Sequence, residues 1–174
     1  MSTIIGGSSP SVTFPDSTVQ DTSAIVGGKV PYANLPSGSV LQVVNATYST
    51  EVATTTSTWV DTNLSATITP KFATSKILII GAINGLAKFS SSTNVGVRLL
   101  NGSTTLKVLE NTAGYDGGTG YNQIAGTSIS YLDSPASTSA QTYKFQFNSG
   151  NNTSGVHVHD TNATSSITLL EIAQ

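Results

Sequence analysis

VGVRLLNGSTTLKVLE, residues 95–110, decides the fold. Val95, Val97 and Leu99 alternate with Gly96 and Arg98, and the run then meets Asn101-Gly102. Alternation at period two marks a half-buried strand, and Asn-Gly is the two-residue signal of a type I′ hairpin turn. The turn predicts a register with Leu100 opposite Ser103, Leu99 opposite Thr104, Val97 opposite Leu106 and Val95 opposite Val108. One face then carries Val95, Val97, Leu99, Leu106 and Val108. Arg98, Thr105 and Lys107 take the other.

The same pattern extends in both directions. SVLQVVNATY (39–48) alternates, and TWVDTNLSATITP (58–70) sets Val60, Leu64, Ala66 and Ile68 on even positions. In TYKFQF (142–147), Tyr143, Phe145 and Phe147 share one face, with Lys144 and Gln146 opposite. TSISYLD, GVHVHD and SSITLLEIA complete the series. Short strands separated by turn signals predict an all-β chain: an antiparallel β-sandwich or jelly roll of eight or nine strands. No segment shows helical periodicity.

The first 38 residues differ. Pro10, Pro15, Pro31 and Pro36 fall there, and proline blocks both helix and central strand. Residues 1–38 are therefore expected to form an extended N-terminal arm, for attachment or strand exchange, and residues 39–174 the sandwich domain.

Composition narrows function. Charged residues make up 9% of the 174, against roughly 25% in ordinary globular proteins. Net charge is −2 with no Lys/Arg cluster, so the basic footprint that nucleic acid requires is missing. Cysteine is absent, which removes disulfides and thiolate metal sites. MSTIIGGSSP has neither a basic nor an apolar leader region, so no secretory signal is expected. The apolar run 77–83 is too short to span a bilayer, and no membrane insertion is expected.

Two strands are apolar on both faces. Ile77, Ile79 and Ile83 alternate with Leu78, Ile80 and Ala82, and Ile167 and Leu169 with Leu170 and Ile172. A sandwich sheet buries one face only. Leu78, Ile80, Leu170 and Ile172 therefore need a cover. A symmetry-related copy of the chain is the expected one, making these four an oligomer interface, and the arm folded back is the alternative.

Catalytic constellations are lacking. The carboxylates form no obvious pair, no G-x-S-x-G elbow occurs, and GYDGGTGY (114–121) opens no helix and holds no lysine. Asp133, in YLDSP, reads as a turn cap. No enzyme activity, catalytic residue or cofactor is expected. His157 and His159 share a strand face if the alternation of GVHVHD holds, and three chains on an axis would then offer six imidazoles to a metal. The competing reading, which we favour, leaves both rings facing solvent without metal. Tyr115 and Tyr121 flank the Gly-rich loop and are candidates for stacking on sugar rings. The competing reading, which we favour, tucks one or both under the loop as core plugs.

Three stretches resemble bacteriophage virion proteins. VTFPDSTVQDTSA (12–24) resembles a FPDGTTQ segment found near domain starts in tail fibres, although Ser17-Thr18-Val19 stands where that segment has Gly-Thr-Thr. GSVLQVVNATYSTEVATTTSTWVDTNLSATITPKFATSKILI (38–79) resembles the opening of a β-sandwich domain common in such proteins. SISYLDSPASTSAQTYKFQF (128–147) with SITLLEIA (166–173) resembles its close. The resemblance implies a non-enzymatic virion structural protein. The expected role is a homotrimeric tail-fibre or appendage component that joins other virion proteins through residues 1–38. Host contact, for instance with a cell-surface glycan, belongs to that reading. The alternative is a capsid decoration or cement protein, or head fibre, whose arm clamps the shell.

Overall fold

The computed structural model describes residues 11–13, 15, 19–21, 30–118, 120–151 and 155–174. Within them, β1 (Ser11–Thr13) and β2 (Val19–Asp21) form a two-stranded antiparallel sheet. Ten further strands follow: β3 (Val40–Tyr48), β4 (Val52–Thr54), β5 (Val60–Ile68), β6 (Lys76–Lys88), β7 (Val95–Asn101), β8 (Thr104–Ala113), β9 (Asn122–Asp133), β10 (Gln141–Ser149), β11 (Val156–Val158) and β12 (Ser165–Ile172). Helical structure among the described residues is limited to two 3-10 turns, Tyr32–Asn34 and Asp160–Asn162.

The ten strands make two antiparallel sheets packed as a sandwich. One runs β5-β10-β7-β8. The other runs β3-β12-β6, with β9 on the far edge of β6 and the short β11-β4 ladder beside β6 where β12 ends. The chain crosses between sheets from β3 to β5, β5 to β6, β6 to β7, β8 to β9, β9 to β10 and β10 to β12. Of the long strands, only the β7–β8 hairpin stays in one sheet. Eight long strands in this order are a jelly roll. The strand beyond the expected eight or nine is β4, whose three residues are too few to show alternation.

The core is the facing surface of both sheets. Ile77, Ile79 and Ile83 of β6, with Ile167 and Leu169 of β12, meet Tyr143, Phe145 and Phe147 of β10, with Val97 and Leu99 of β7. All are fully buried. Gly81 breaks the isoleucine row for a steric reason: a Cβ there would lie 2.5 Å from Phe145 Cζ. The phenyl ring thus occupies the volume a side chain at 81 would need.

The hairpin register differs from the expected one. Asn101 pairs with Thr104 and Leu100 with Thr105, so Gly102 and Ser103 form the loop. Gly102 has φ +56° at the first central position, as in type II′ turns. Asn101 is drawn into β7 by its partners: it lies opposite Tyr143, and its Nδ2 donates to Gln141 Oε1 at 2.9 Å and Asp133 Oδ2 at 3.3 Å. β8 then carries bulges, since Leu99 faces Lys107, Arg98 faces Val108 and Val97 faces Glu110. The extra residues of the first two bulges are Leu106 and Leu109, which pack on the core together with Ala113. Val108, expected inside, is 44% exposed. Bulges re-aim side chains, and here they space the inward residues three and then four apart instead of two.

Asp133 caps its turn as expected, accepting from the Ser134 N–H at 2.9 Å, and also takes the Tyr143 hydroxyl at 2.8 Å. Burial, then the neighbouring Asp133, pushes the Tyr143 pKa far up. Trp59 lies under the Arg98 guanidinium, 4.5 Å from the ring centre. At the start of β3, Gly38 N–H donates to Ala173 O and Ala173 N–H to Ser39 O, fastening residues 38–39 to the end of β12. Most of the expected arm, including the Ser17-Thr18 departure, lies outside the described residues.

Leu109→Ala is expected to cost about 1–2 kcal/mol in urea unfolding, and Val108→Ala under about 0.5 kcal/mol. The reverse order would restore the strict alternation and contradict the bulged register.

Candidate functional site

The outer face of the β9-β6-β12-β3 sheet carries an apolar row. Leu132 lies opposite Leu78, Leu78 opposite Leu170, and Leu170 opposite Val43. The row spans all four strands. Leu132 is 50% and Val43 57% exposed, and Ile80 and Val40 beside the row are about half exposed. Leu78, Leu170 and Ile172 are half-buried by their neighbours. Among the described residues nothing lies over this face. The next row is polar apart from Ile80, running Ser130, Ile80, Thr168, Asn45, with Asn45 Nδ2 donating to Thr168 Oγ1 at 2.8 Å. Sequence reasoning found Leu78, Ile80, Leu170 and Ile172 from their parity. It missed Val43 and Leu132, which join the patch only through strand register.

A second cluster is built where β4, β6 and β11 meet. Val156 and Val158 are buried and His157 faces the other way, as the alternation predicts. His159 does not follow. β11 ends at Val158, and His159 turns inward with φ +59°. Its ring is fully buried, so the expectation that both imidazoles share a solvent face is corrected. Nε2 lies 3.0 Å from Thr62 O, which can only accept, so Nε2 holds the proton. Nδ1 accepts from the Ser165 hydroxyl at 2.8 Å, while Ser165 Oγ accepts the Asn84 N–H. Burial holds the His159 pKa below its ordinary value, against the opposing pull of the Thr62 carbonyl. The two histidines therefore cannot converge on one ion.

His157 instead meets Glu51 and Asp160. Its Nδ1 lies 2.9 Å from Glu51 Oε1. Ala53 is its cross-strand partner, so Glu51 is a diagonal neighbour on the same face. The Phe89 ring packs on the imidazole with centroids 4.0 Å apart, and Tyr121 packs on Phe89 at 4.9 Å. Asp160 rides on the 3-10 turn after β11. Gly85, at φ +64°, allows this approach, since a Cβ there would stand 2.5 Å from Asp160 N. Asp160 Oδ2 accepts from the Tyr121 hydroxyl at 3.0 Å and from Gln123 Nε2 at 3.1 Å. Burial raises the Asp160 pKa, yet hydrogen bonds from Gln123 and Tyr121 outweigh this and hold it below the ordinary value. An open groove of about 480 Å3 adjoins the turn, lined in part by Gln123, Leu86 and Asp160.

Both loop tyrosines are exposed, Tyr115 by 61% and Tyr121 by 50%, so neither plugs the core. Tyr121 belongs to the His157 cluster, and Tyr115 stands out from the loop. The buried Lys88 anchors that loop from below, donating to Asp116 O at 3.1 Å. Glu51, Phe89 and Asp160 had no signal in the sequence, because the fold alone brings them to His157.

The architecture is thus an eight-stranded jelly roll with two short accessory strands. No protein-family model and no curated protein matches the sequence. Among solved structures, the chain is similar to VP2 of infectious bursal disease virus in its subviral particle, at 10% identity and a TM-score of 0.44. The alignment covers 78% of this chain and 38% of that one. VP2 in T=1 particles derived from the same virus aligns at 12% identity and a TM-score of 0.42, covering 78% of this chain and 37% of that one. The chain thus spans well under half the length of either.

The neutral His159 ring sets a pH dependence. Its folded pKa is depressed, so its share of stability is present above the unfolded value of about 6.5 and is lost as pH falls through the folded pKa. Unfolding free energies from urea titration are expected to fall below about pH 6.5, by at most about 1.4 kcal/mol per pH unit from this group. His159→Gln should flatten that part of the curve, and an unaltered slope in the variant would contradict the assignment.

Proposed function

We propose that the chain is a non-enzymatic structural component of a virus particle that self-associates through the outer face of the β9-β6-β12-β3 sheet. The carrying observation is the row Leu132, Leu78, Leu170 and Val43, four aliphatic side chains in cross-strand register on a face that no described residue covers. Contiguous exposed apolar surface of this kind marks contact sites on soluble proteins. Identical copies are the proposed partners because the face is nearly free of charge and closed symmetry is the commonest way to bury such a surface, and the threefold axis rests on the resemblance to phage virion proteins.

The virion setting rests on the resemblance of residues 12–24, 38–79, 128–147 and 166–173 to phage virion proteins. The jelly roll supports it only in general terms, since capsid proteins and lectins both use that architecture. Within this reading the chain is a trimeric tail-fibre or appendage component. Residues 1–38 join it to other virion proteins, and the exposed Tyr115 and Tyr121 are available for contact with a host-surface glycan.

Light scattering of the purified chain at micromolar concentration is expected to give a trimer. Ile80→Asp and Val43→Asp alter exposed side chains, so the fold should survive while association weakens by about 30-fold or more. A monomeric unaltered chain, or a trimer indifferent to both substitutions, would overturn the proposal.

A further inference from the structure

Glu51, His157 and Asp160 form the one group of three metal-ligating side chains whose donor atoms lie within 4.8 Å of one another among the described residues. We propose that this group is a binding site for a divalent first-row transition ion, Zn2+ being the best fit, with Glu51, Asp160 and His157 Nδ1 as its ligands. The inference is independent of the assembly reading.

Three observations carry it. The first is the state of the imidazole. His157 Nδ1 is shut off from solvent and makes no hydrogen bond, although Glu51 Oε1 stands only 2.9 Å away. The carboxylate oxygen is therefore off the direction in which a ring N–H would donate. A buried nitrogen without a hydrogen-bond partner is uncommon in native proteins, and a bound ion is one of the few explanations for it. A buried ring nitrogen beside carboxylates, with no hydrogen bond of its own, is suited to act as a metal ligand.

The second is the proximity of the two carboxylates. Glu51 is half-exposed and Asp160 only 5% exposed, and their carboxylate oxygens lie within 4.8 Å of each other. Like charges this close repel, and a shared cation removes the repulsion.

The third is the support around the ligands. Asp160 Oδ2 is fixed by the Tyr121 hydroxyl and Gln123 Nε2. The Phe89 ring holds the His157 plane. Gly85 admits the backbone that carries Asp160, and the His159 N–H donates to Asn84 O at 2.9 Å one residue earlier. Outer partners that orient the ligands in this way are typical of metal centres.

The donor set selects the ion. Two carboxylates and one imidazole suit zinc or its first-row neighbours, whereas Ca2+ and Mg2+ prefer oxygen alone. Such ions hold oxygen and nitrogen at about 2.0–2.2 Å, which sets ligands of one ion roughly 3–3.5 Å apart. Donor atoms within 4.8 Å of one another reach that spacing by a shift of about an ångström, and the half-exposed Glu51 side chain has room to move. Three protein ligands leave a coordination position for water.

The test is calorimetric titration of the chelator-treated full chain with ZnCl2, with MgCl2 and CaCl2 as comparisons. One Zn2+ per chain is expected, with a rise in melting temperature and much weaker binding of the other two ions. Glu51→Gln and His157→Gln should each weaken Zn2+ binding by about 10–100-fold, and Tyr121→Phe by roughly 10-fold through the loosened Asp160. Glu51 is exposed enough for its variant to keep the fold, which circular dichroism would verify. The chain has no cysteine and only one other histidine, His159, whose two nitrogens are both engaged, so competing zinc sites are few. No Zn2+ binding at about 100 μM by the folded chain, or binding unchanged in both ligand variants, would overturn the assignment.

Discussion

β6 is the strand on which the molecule depends. It is thirteen residues long, is paired along both edges and is apolar on both faces. Its inner face, Ile77, Ile79 and Ile83, is the floor of the core, and the gap at Gly81 receives Phe145 from the opposite sheet. Its outer face supplies Leu78 to the exposed row and Ile80 beside it. A strand buried on one side alone would alternate with polar residues. This one does not, and in the single chain its outer residues Leu78 and Ile80 stay partly exposed.

The far half of the same strand serves another purpose. Beyond Ile83 the register with β9 slips twice, near Gly85 and Leu86, and Gly85 takes a positive φ. The slip opens room for the turn that carries His159 and Asp160. Two consecutive residues then go opposite ways. His159 closes a neutral hydrogen-bond network inside the core, and Asp160 meets Glu51 and His157 outside it. Regular pairing over 76–82 makes an exposed apolar surface, and irregular pairing over 84–88 makes a polar cluster.

Much of this was legible in the sequence, and the reasons for success and failure are local. Alternation placed Tyr143, Phe145 and Phe147 in the core because β10 runs centrally between two partners with a regular register to β7. It found Leu78 and Leu170 on the outer face for the same reason. It failed at Val108, because a bulge changes which residue points inward and leaves no mark in the hydrophobicity of an edge strand. His159 was misplaced by one backbone dihedral, since a strand that stops at Val158 stops alternating there. The grouping of Glu51 with His157 and Asp160 was invisible, because it depends on the β4–β11 pairing, and β4 is three residues long. Val43 and Leu132 join the apolar row through register across three strand pairs, which no single segment encodes.

The central claim is that the row Leu132, Leu78, Leu170 and Val43 is buried between copies of the chain. Electron cryomicroscopy of the purified oligomer tests it most directly. The account requires the β9-β6-β12-β3 sheets to face one another around the symmetry axis, with these four side chains out of solvent. An assembly in which that face is turned to solvent, while the copies meet through β8 or the loops, would contradict it.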